Sequence, residues 1–215
     1  MDKETRVKIG ALIKDKKFLK SLKEISTDRR ASGNEYLTKI LDNAIDFDYL
    51  MREYCRIIKE PGPSSPPTSC DALIEKKDGR YILIEFKNGK IQSIKKDVKR
   101  KMSDSLLCLL DILNKDVSFA RDNFEFILVY NESRNRKERL ERTDGLGKIR
   151  NRTKKRLKKN EIQHSDFFNV FSNSVAARAK VELILPGFEL YSGLWWRKVH
   201  TYNNRKFEYE YHKGL

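Results

Sequence analysis

The sequence predicts an α/β fold in which helices flank a mixed central sheet. Two apolar strands surround an Asp-Gly turn between residues 69 and 89, an amphipathic segment covers 91–114, and a third apolar strand covers 124–130. Strands that are apolar on both faces are typical of the centre of a sheet covered by helices. The order strand, strand, helix, strand therefore predicts a mixed α/β core.

The composition favours a polyanionic partner. The 215 residues include 46 Lys or Arg against 31 Asp or Glu, for a formal net charge of +15. Neutralising phosphates releases condensed counterions, so nucleic acid is the first candidate partner and an anionic membrane surface the second. No apolar run approaches the roughly 20 residues needed to span a bilayer. The N-terminus has no signal-peptide core, and three cysteines without metal-ligand spacing indicate reduced thiols, which together predict a cytoplasmic protein.

The chain before the first of these strands is predicted to be mostly helical. Residues 1–31 form an N-terminal helical segment in this interpretation. A stronger helix is predicted from Ser32, the candidate N-cap, with Glu35 completing a capping box three residues later. A second helical piece covers 47–58. The stretch 61–68 holds four of the five prolines and predicts a loop.

The turn between the two strands determines which side chains share a face of the sheet. A two-residue loop at 78–79 would put Asp71 on the face opposite Glu85. A three-residue loop at 77–79, with its glycine in the left-handed region, places Asp71 directly across from Glu85. Lys87, two residues beyond, then shares that face. Both turns suit Asp-Gly, but only the second builds a site without a bulge, so we predict the second.

These side chains supply what metal-dependent phosphodiester hydrolysis needs. Two neighbouring carboxylates, Asp71 and Glu85, hold Mg²⁺ or Mn²⁺ through hard oxygen ligands, and the backbone carbonyl of Phe86 is a further candidate ligand. The ammonium group of Lys87 orients or deprotonates the attacking water and stabilises charge on the phosphate. The competing interpretation is that Asp71 only begins a strand, while Glu85 and Lys87 form a solvated ion pair on an edge strand.

The pattern resembles the PD-(D/E)xK, or restriction-endonuclease-like, nuclease superfamily. Cys70-Asp71 is followed by Glu85-Phe86-Lys87, a helix and another strand, with Cys70 in place of the usual proline. The resemblance covers residues 32–130. It implies the family's fold, use of Mg²⁺ and catalytic roles for Asp71, Glu85 and Lys87. The family often has a further acid on the helix before the hairpin, so Glu35 is either that catalytic acid or only a helix cap.

Two basic regions are candidate nucleic-acid contacts. Residues 134–159 hold 13 Lys or Arg against three acids, which predicts a basic helical insertion, 134–160, that serves as a clamp or lid. The first half of the helix over 91–114 is also basic, although such residues often only face solvent. The proposed contacts are Lys95, Lys96, Lys99, Arg100, Arg150, Arg152, Lys154, Lys155, Arg156, Lys158 and Lys159.

The C-terminal part, 161–215, is rich in aromatic residues and is expected to complete the domain whose core spans 32–133. A strand is predicted over 181–185 and a β-hairpin around Asn203-Asn204.

The leading functional hypothesis is a Mg²⁺-dependent endonuclease, rather than exonuclease, that acts on DNA. An RNA or tRNA nuclease of the same fold remains open, as does a non-catalytic nucleic-acid-binding module. A basic protein that binds other proteins or a membrane surface is a third class, but the basic run has few bulky apolar residues, so we expect no membrane partner. A homodimer is compatible with cutting both strands of a duplex.

Overall fold

The structure is a computed structural model, and it describes residues 2–28, 35–58, 67–89, 95–135 and 191–215. These residues form an α/β arrangement in which helices flank a mixed six-stranded sheet. Within this part of the chain, none of the helices combines the length and the apolar character that crossing a membrane requires.

The described part of the chain contains both helices and strands. The first elements are α1 (Lys3–Ala11), β1 (Leu19–Ser21), α2 (Leu22–Ile25), β2 (Thr27–Asp28), β3 (Glu35–Tyr36), β4 (Asn43–Asp46) and α3 (Phe47–Ile58), with two 3-10 turns between α1 and β1. The later elements are β5 (Ala72–Glu75), β6 (Tyr81–Lys87), α4 (Lys95–Leu113), α5 (Val117–Asn123), β7 (Phe124–Tyr130), β8 (Lys198–Asn203) and α6 (Asn204–His212).

The central sheet has the strand order β1-β4-β5-β6-β7-β8. The pairs from β1 to β6 are antiparallel, whereas β6, β7 and β8 run parallel. The connection from β6 to β7 passes through α4 and α5, which confirms the predicted order of two strands, a helix and a strand. Because β6 to β8 are parallel, their carboxyl ends lie at one edge of the sheet.

A hydrophobic core lies on each face of the sheet. On one face, Leu73 and Leu83 pack with apolar residues of α1, α3, α4 and α5. On the other, Ala72, Ile82 and Ile84 pack with residues of α2 and α6. Successive side chains of a strand point to opposite faces, and both strands carry apolar residues on both faces, as the sequence predicts.

The predicted three-residue turn between β5 and β6 is confirmed. Gly79 lies in the left-handed region with a φ of 82°, and the N–H of Lys76 donates to the carbonyl of Arg80 at 2.8 Å. The same register continues along both strands, so the position opposite Asp71 is Glu85.

The predicted helix from Ser32 is wrong. Residues 35–36 form the strand β3 instead, 37–42 have no regular structure and β4 follows. The apolar residues that suggested one helical face do not share an environment, since Leu37 and Ile40 are buried while Leu41 is 71% exposed. Pairing of β4 with both β1 and β5 overrides the helical periodicity of this segment. Glu35 therefore does not occupy the third position of a helix.

The other predicted helices are largely confirmed, as α1, α3 and α4 show. The segment 1–31 is not helical throughout, however, because Leu19–Ser21 and Thr27–Asp28 are strands. Both β1 and β2 are short, and β1 begins at the apolar Leu19.

The predicted C-terminal hairpin is also wrong. The strand β8 pairs in parallel with β7, and the chain then continues as the helix α6. Asn203 caps this helix, because its side chain accepts a hydrogen bond from the N–H of Lys206 at 2.7 Å. Asparagine is favoured both in hairpin turns and at helix N-caps, which explains the misassignment. The predicted strand over 181–185 lies outside the described residues.

We predict that Gly79→Ala destabilises the protein by about 1–2 kcal/mol, because an L-residue in the left-handed region is strained. An added methyl group there meets no described atom within 4 Å, so the cost comes from the backbone alone. The free energy of unfolding in urea measures the effect.

Gly10→Ala is the matched control. Gly10 lies inside α1 with equally open space around it, so alanine should stabilise the protein by up to about 1 kcal/mol. Equal stability of Gly79→Ala and the unmodified protein would contradict the assigned turn.

Candidate active site

The candidate site lies where β5 begins and β6 ends. Asp71 immediately precedes β5 and is joined to β6 twice: its N–H donates to the carbonyl of Ile84 at 3.0 Å, and its Oδ2 accepts the N–H of Phe86 at 2.6 Å. The carboxylate of Asp71 thus accepts a β6 N–H as a backbone carbonyl would at the end of a strand pair. These two hydrogen bonds to β6 fix the position of the acid.

Glu85 is the buried centre of the site. Its side chain has no solvent exposure, and its Oε1 lies 2.7 Å from Nζ of Lys87. The ammonium group of Lys101, on α4, lies 2.9 Å from the same oxygen and donates to Oε2 of Glu85 at 3.1 Å. Lys101 also donates to Oδ1 of Asp71 at 3.3 Å. Asp71, Glu85 and Lys87 therefore converge, with Lys101 joining both acids.

Lys101 is a residue of the site that the sequence reasoning missed. It lies on the stripe of α4 that faces the sheet, where Val98 and Met102 are buried. Ser105, one turn later, has no exposure either. A lysine within the apolar stripe of an amphipathic helix was the available signal, because a lysine is rarely placed in a core position without an acidic partner.

Contacts between α4 and the chain entering β5 explain why Lys101 reaches this place. The N–H of Cys70 donates to Oγ of Ser105 at 2.8 Å, while the N–H and hydroxyl of Thr68 donate to Oδ2 of Asp104 at 3.0 and 2.7 Å. These bonds hold the middle of α4 beside the residues that precede Asp71. Lys101, one helical turn before Ser105, is thereby directed at the two acids.

Asp48 is a third acid, close to Asp71, and the sequence reasoning did not select it. It lies in the first turn of α3 and accepts a hydrogen bond from the hydroxyl of Ser69. Its negative charge contributes to raising the pKa of Asp71. Asp48 therefore adds to the negative potential at the site.

Burial shifts the ionisation of the acids toward their neutral forms. It raises the pKa of Glu85 from its ordinary 4.5 to about 8, with help from repulsion by Asp71 and against the attraction of Lys101 and Lys87. Burial also raises the pKa of Asp71, outweighing Lys101 and the N–H of Phe86. For Lys101, burial lowers the pKa, but attraction by Asp71 and Glu85 leaves it above its usual range. The two ammonium groups thus offset only part of the cost that burial imposes on ionising the two acids.

The oxygen atoms of the site fit a hard divalent cation. Oε1 of Glu85 is buried and accepts no hydrogen bond of good geometry, although two ammonium nitrogens are close. Asp71 and Glu85 offer carboxylate oxygens and Phe86 a peptide carbonyl, which is the donor type that Mg²⁺ and Mn²⁺ prefer. No group of three or more His, Cys, Asp or Glu among the described residues is arranged to hold a metal, so the fit rests on two carboxylates and the peptide.

Glu35 lies beside the end of β6 rather than against the two acids. Its Oε2 accepts hydrogen bonds from Asn88 at 2.8 Å and from Arg134 at 2.6 Å. Asn88 directly follows Lys87 in the chain, so Glu35 is linked to the site through the end of the strand. About half of the side chain of Glu35 is exposed.

The predicted basic contacts are only partly described. Lys96 and Arg100 are exposed on α4, and Nζ of Lys99 lies 5.7 Å from the centre of the Tyr191 ring. The backbone of Lys95 begins α4. The remaining candidates, Arg150, Arg152, Lys154, Lys155, Arg156, Lys158 and Lys159, lie outside the described residues, as does almost all of the predicted insertion.

Comparison with models of known protein families, with curated proteins and with solved structures gives no match for this chain in any of the three.

We predict that, with EDTA present, the free energy of unfolding falls as the pH rises from about 5 to about 8. A carboxyl with a raised folded-state pKa contributes stability below its unfolded pKa that is lost as the pH rises through the folded value, which is about 8 for Glu85. The pKa of Asp71 is also raised, so it acts in the same direction. Urea unfolding at several pH values measures the slope.

Glu85→Gln tests the assignment of this slope. The amide keeps the size of the side chain but does not titrate, so the variant should show a much flatter dependence over the same range. The same slope in both proteins would mean that another group is responsible.

Proposed function

We propose that the chain is a Mg²⁺- or Mn²⁺-dependent nuclease with a restriction-endonuclease-like core that hydrolyses phosphodiester bonds in DNA. The observation that carries the proposal is the convergence of Asp71, Glu85 and Lys87 at the end of a buried strand. The ammonium group of Lys101 contacts both acids, at 3.3 Å from Oδ1 of Asp71 and 2.9 Å from Oε1 of Glu85. Two acids and two ammonium groups in one cluster are the complement that phosphoryl chemistry uses to hold a cation and offset charge on a phosphate.

Each residue has a distinct role in this proposal. The carboxylates of Asp71 and Glu85 and the carbonyl of Phe86 would hold the divalent cation. When bound, that cation supplies Lewis-acid polarisation of the phosphate and a lower pKa for an attacking water. Lys87, whose side chain is 23% exposed, reaches from the buried Glu85 toward solvent. In this proposal its Nζ orients the water and donates to a phosphate oxygen.

The surroundings of the pocket support a polyanionic substrate. The first half of α4 follows the end of β6, so its exposed Lys96 and Arg100 lie at the same edge of the sheet as the site. The formal net charge of +15 adds a long-range attraction for phosphates. DNA is favoured over RNA, endonuclease action over exonuclease action, and a homodimer would present two such sites to the two strands of a duplex.

A binding module without catalysis is less well supported by this geometry. Binding a polyanion requires surface cations, but it gives no reason to bury Glu85 beside Asp71. Placing two acids in one buried pocket costs free energy that nearby cations only partly offset. A cost of this kind is typical of functional sites.

The purified protein should cleave plasmid and single-stranded DNA when Mg²⁺ or Mn²⁺ is present and should stop when EDTA is added. Asp71→Asn, Glu85→Gln and Lys87→Met should each lower the rate by about a hundredfold or more, since each removes a group that acts on the transition state. Gel assays under single-turnover conditions measure the rates.

Glu75→Gln is the matched control. Glu75 is an exposed acid at the far end of the same hairpin, where it accepts a hydrogen bond from the hydroxyl of Tyr81, so its loss should leave the rate unchanged. Cleavage that survives Asp71→Asn and Lys87→Met would exclude this site as the catalytic one. Comparing the cleavage rates on DNA, RNA and tRNA identifies the substrate. Salt-sensitive binding of nucleic acid without cleavage would favour the non-catalytic binding module.

The basic face of α4 yields a second prediction. Replacing Lys96 and Arg100 together with Gln should weaken DNA binding and should reduce the slope of log K against log salt by about 2, because each lost phosphate contact changes the slope by about 0.9. Fluorescence anisotropy with EDTA present, over a series of salt concentrations, measures both quantities.

Lys77→Gln combined with Lys198→Gln is the control with the same charge change. Both lysines are exposed, and they lie at the edge of the sheet opposite the site, beside the starts of β6 and β8. Equal slopes for the two double variants would mean that α4 makes no special contact with the phosphates.

A further inference from the structure

We propose that Lys101 is an internal placeholder for the divalent cation. In the metal-free protein its ammonium group holds Asp71 and Glu85 together, and a bound cation displaces it toward solvent. This inference rests on the proposed function, because it assumes that the two acids are the cation's ligands.

The position of the ammonium group is the first argument. Nζ of Lys101 lies 3.3 Å from Oδ1 of Asp71, and 2.9 and 3.1 Å from the two carboxylate oxygens of Glu85. These are the carboxylate oxygens with which the two acids would hold a divalent cation. A divalent cation and an ammonium group that share ligands within a few ångströms repel each other strongly in a buried pocket. The two therefore compete for the same place.

Lys101 is better suited to this role than Lys87. The close contact of Lys87 is with Oε1 of Glu85 at 2.7 Å, whereas Lys101 contacts both acids. Lys87 also extends from the same strand as Glu85, so its ammonium group stays beside that carboxylate. Lys101 comes from a separate element and is the cation that joins Asp71 to Glu85.

The side chain of Lys101 is partly open to solvent. It is 20% exposed, and a lysine side chain has four methylene groups that can change rotamer without moving the helix. The backbone of α4 is held in place by the bonds from Cys70 to Ser105 and from Thr68 to Asp104. Displacement thus requires only side-chain motion, and it leaves the ammonium group free to meet a phosphate.

The test measures Mn²⁺ binding by calorimetry without nucleic acid, so that no turnover enters the readout. Lys101→Met and Lys101→Gln remove the competing charge, and each should bind Mn²⁺ about tenfold more tightly than the unmodified protein, since a like charge at this distance weakens cation binding by an order of magnitude or more. Two variants are used because Lys101→Met has the greater risk of not folding. Circular dichroism checks that each variant is folded.

Lys96→Met is the matched control, because it makes the same change at an exposed position of the same helix; its Mn²⁺ affinity should stay within about twofold of the unmodified value. Unchanged or weaker Mn²⁺ binding by both folded Lys101 variants, with binding abolished by Asp71→Asn, would overturn the placeholder role and leave the proposed nuclease intact. An unmodified protein that binds no Mn²⁺ would overturn both.

Discussion

The arrangement of the site depends on one constraint, the burial of the Glu85 carboxyl group near the end of an interior strand of the sheet. A carboxylate without solvent exposure needs cations or a proton, and here Lys87 and Lys101 both lie within 2.9 Å of it. The first comes from the same strand and the second from α4. The need to neutralise one buried acid thus links the strand, the helix packed against it and the neighbouring Asp71.

The scaffold supports this arrangement from both sides. The hairpin register sets Asp71 across from Glu85, and the hydrogen bond from the N–H of Cys70 to Oγ of Ser105 positions α4 beside the same two residues. At the carboxyl ends of β6 and β7, the side chain of Asn131 donates to that of Asn88 at 2.6 Å. This bond joins the strand that ends in Lys87 to its parallel neighbour. Each charged group is therefore held by an element with its own packing.

Much of the site could be predicted from local patterns. The turn chemistry of Gly79 determined the register of the hairpin, and the alternation of side chains then placed Asp71, Glu85 and Lys87 together. Lys101 was not predicted, although its place on the apolar stripe of α4 was a signal; which acids it meets depends on how α4 packs on the sheet, and the helical periodicity does not reveal that. The segment around Glu35 was predicted to be helical because its periodicity was considered without the strands that pair with it. The hairpin predicted at Asn203 was wrong for a related reason, since asparagine suits both a turn and a helix N-cap.

The turn at residues 77–79 has a consequence for how this sequence can change over time. Loops on protein surfaces usually tolerate insertions and deletions, and this turn is exposed and far from the acids. A gain or loss of one residue that shifted the pairing by one position would nevertheless move Asp71 to the opposite face of the sheet from Glu85. The length of the turn at residues 77–79 should therefore stay the same in natural variants that keep both acids. Variation at this turn should change the type of its residues but not their number.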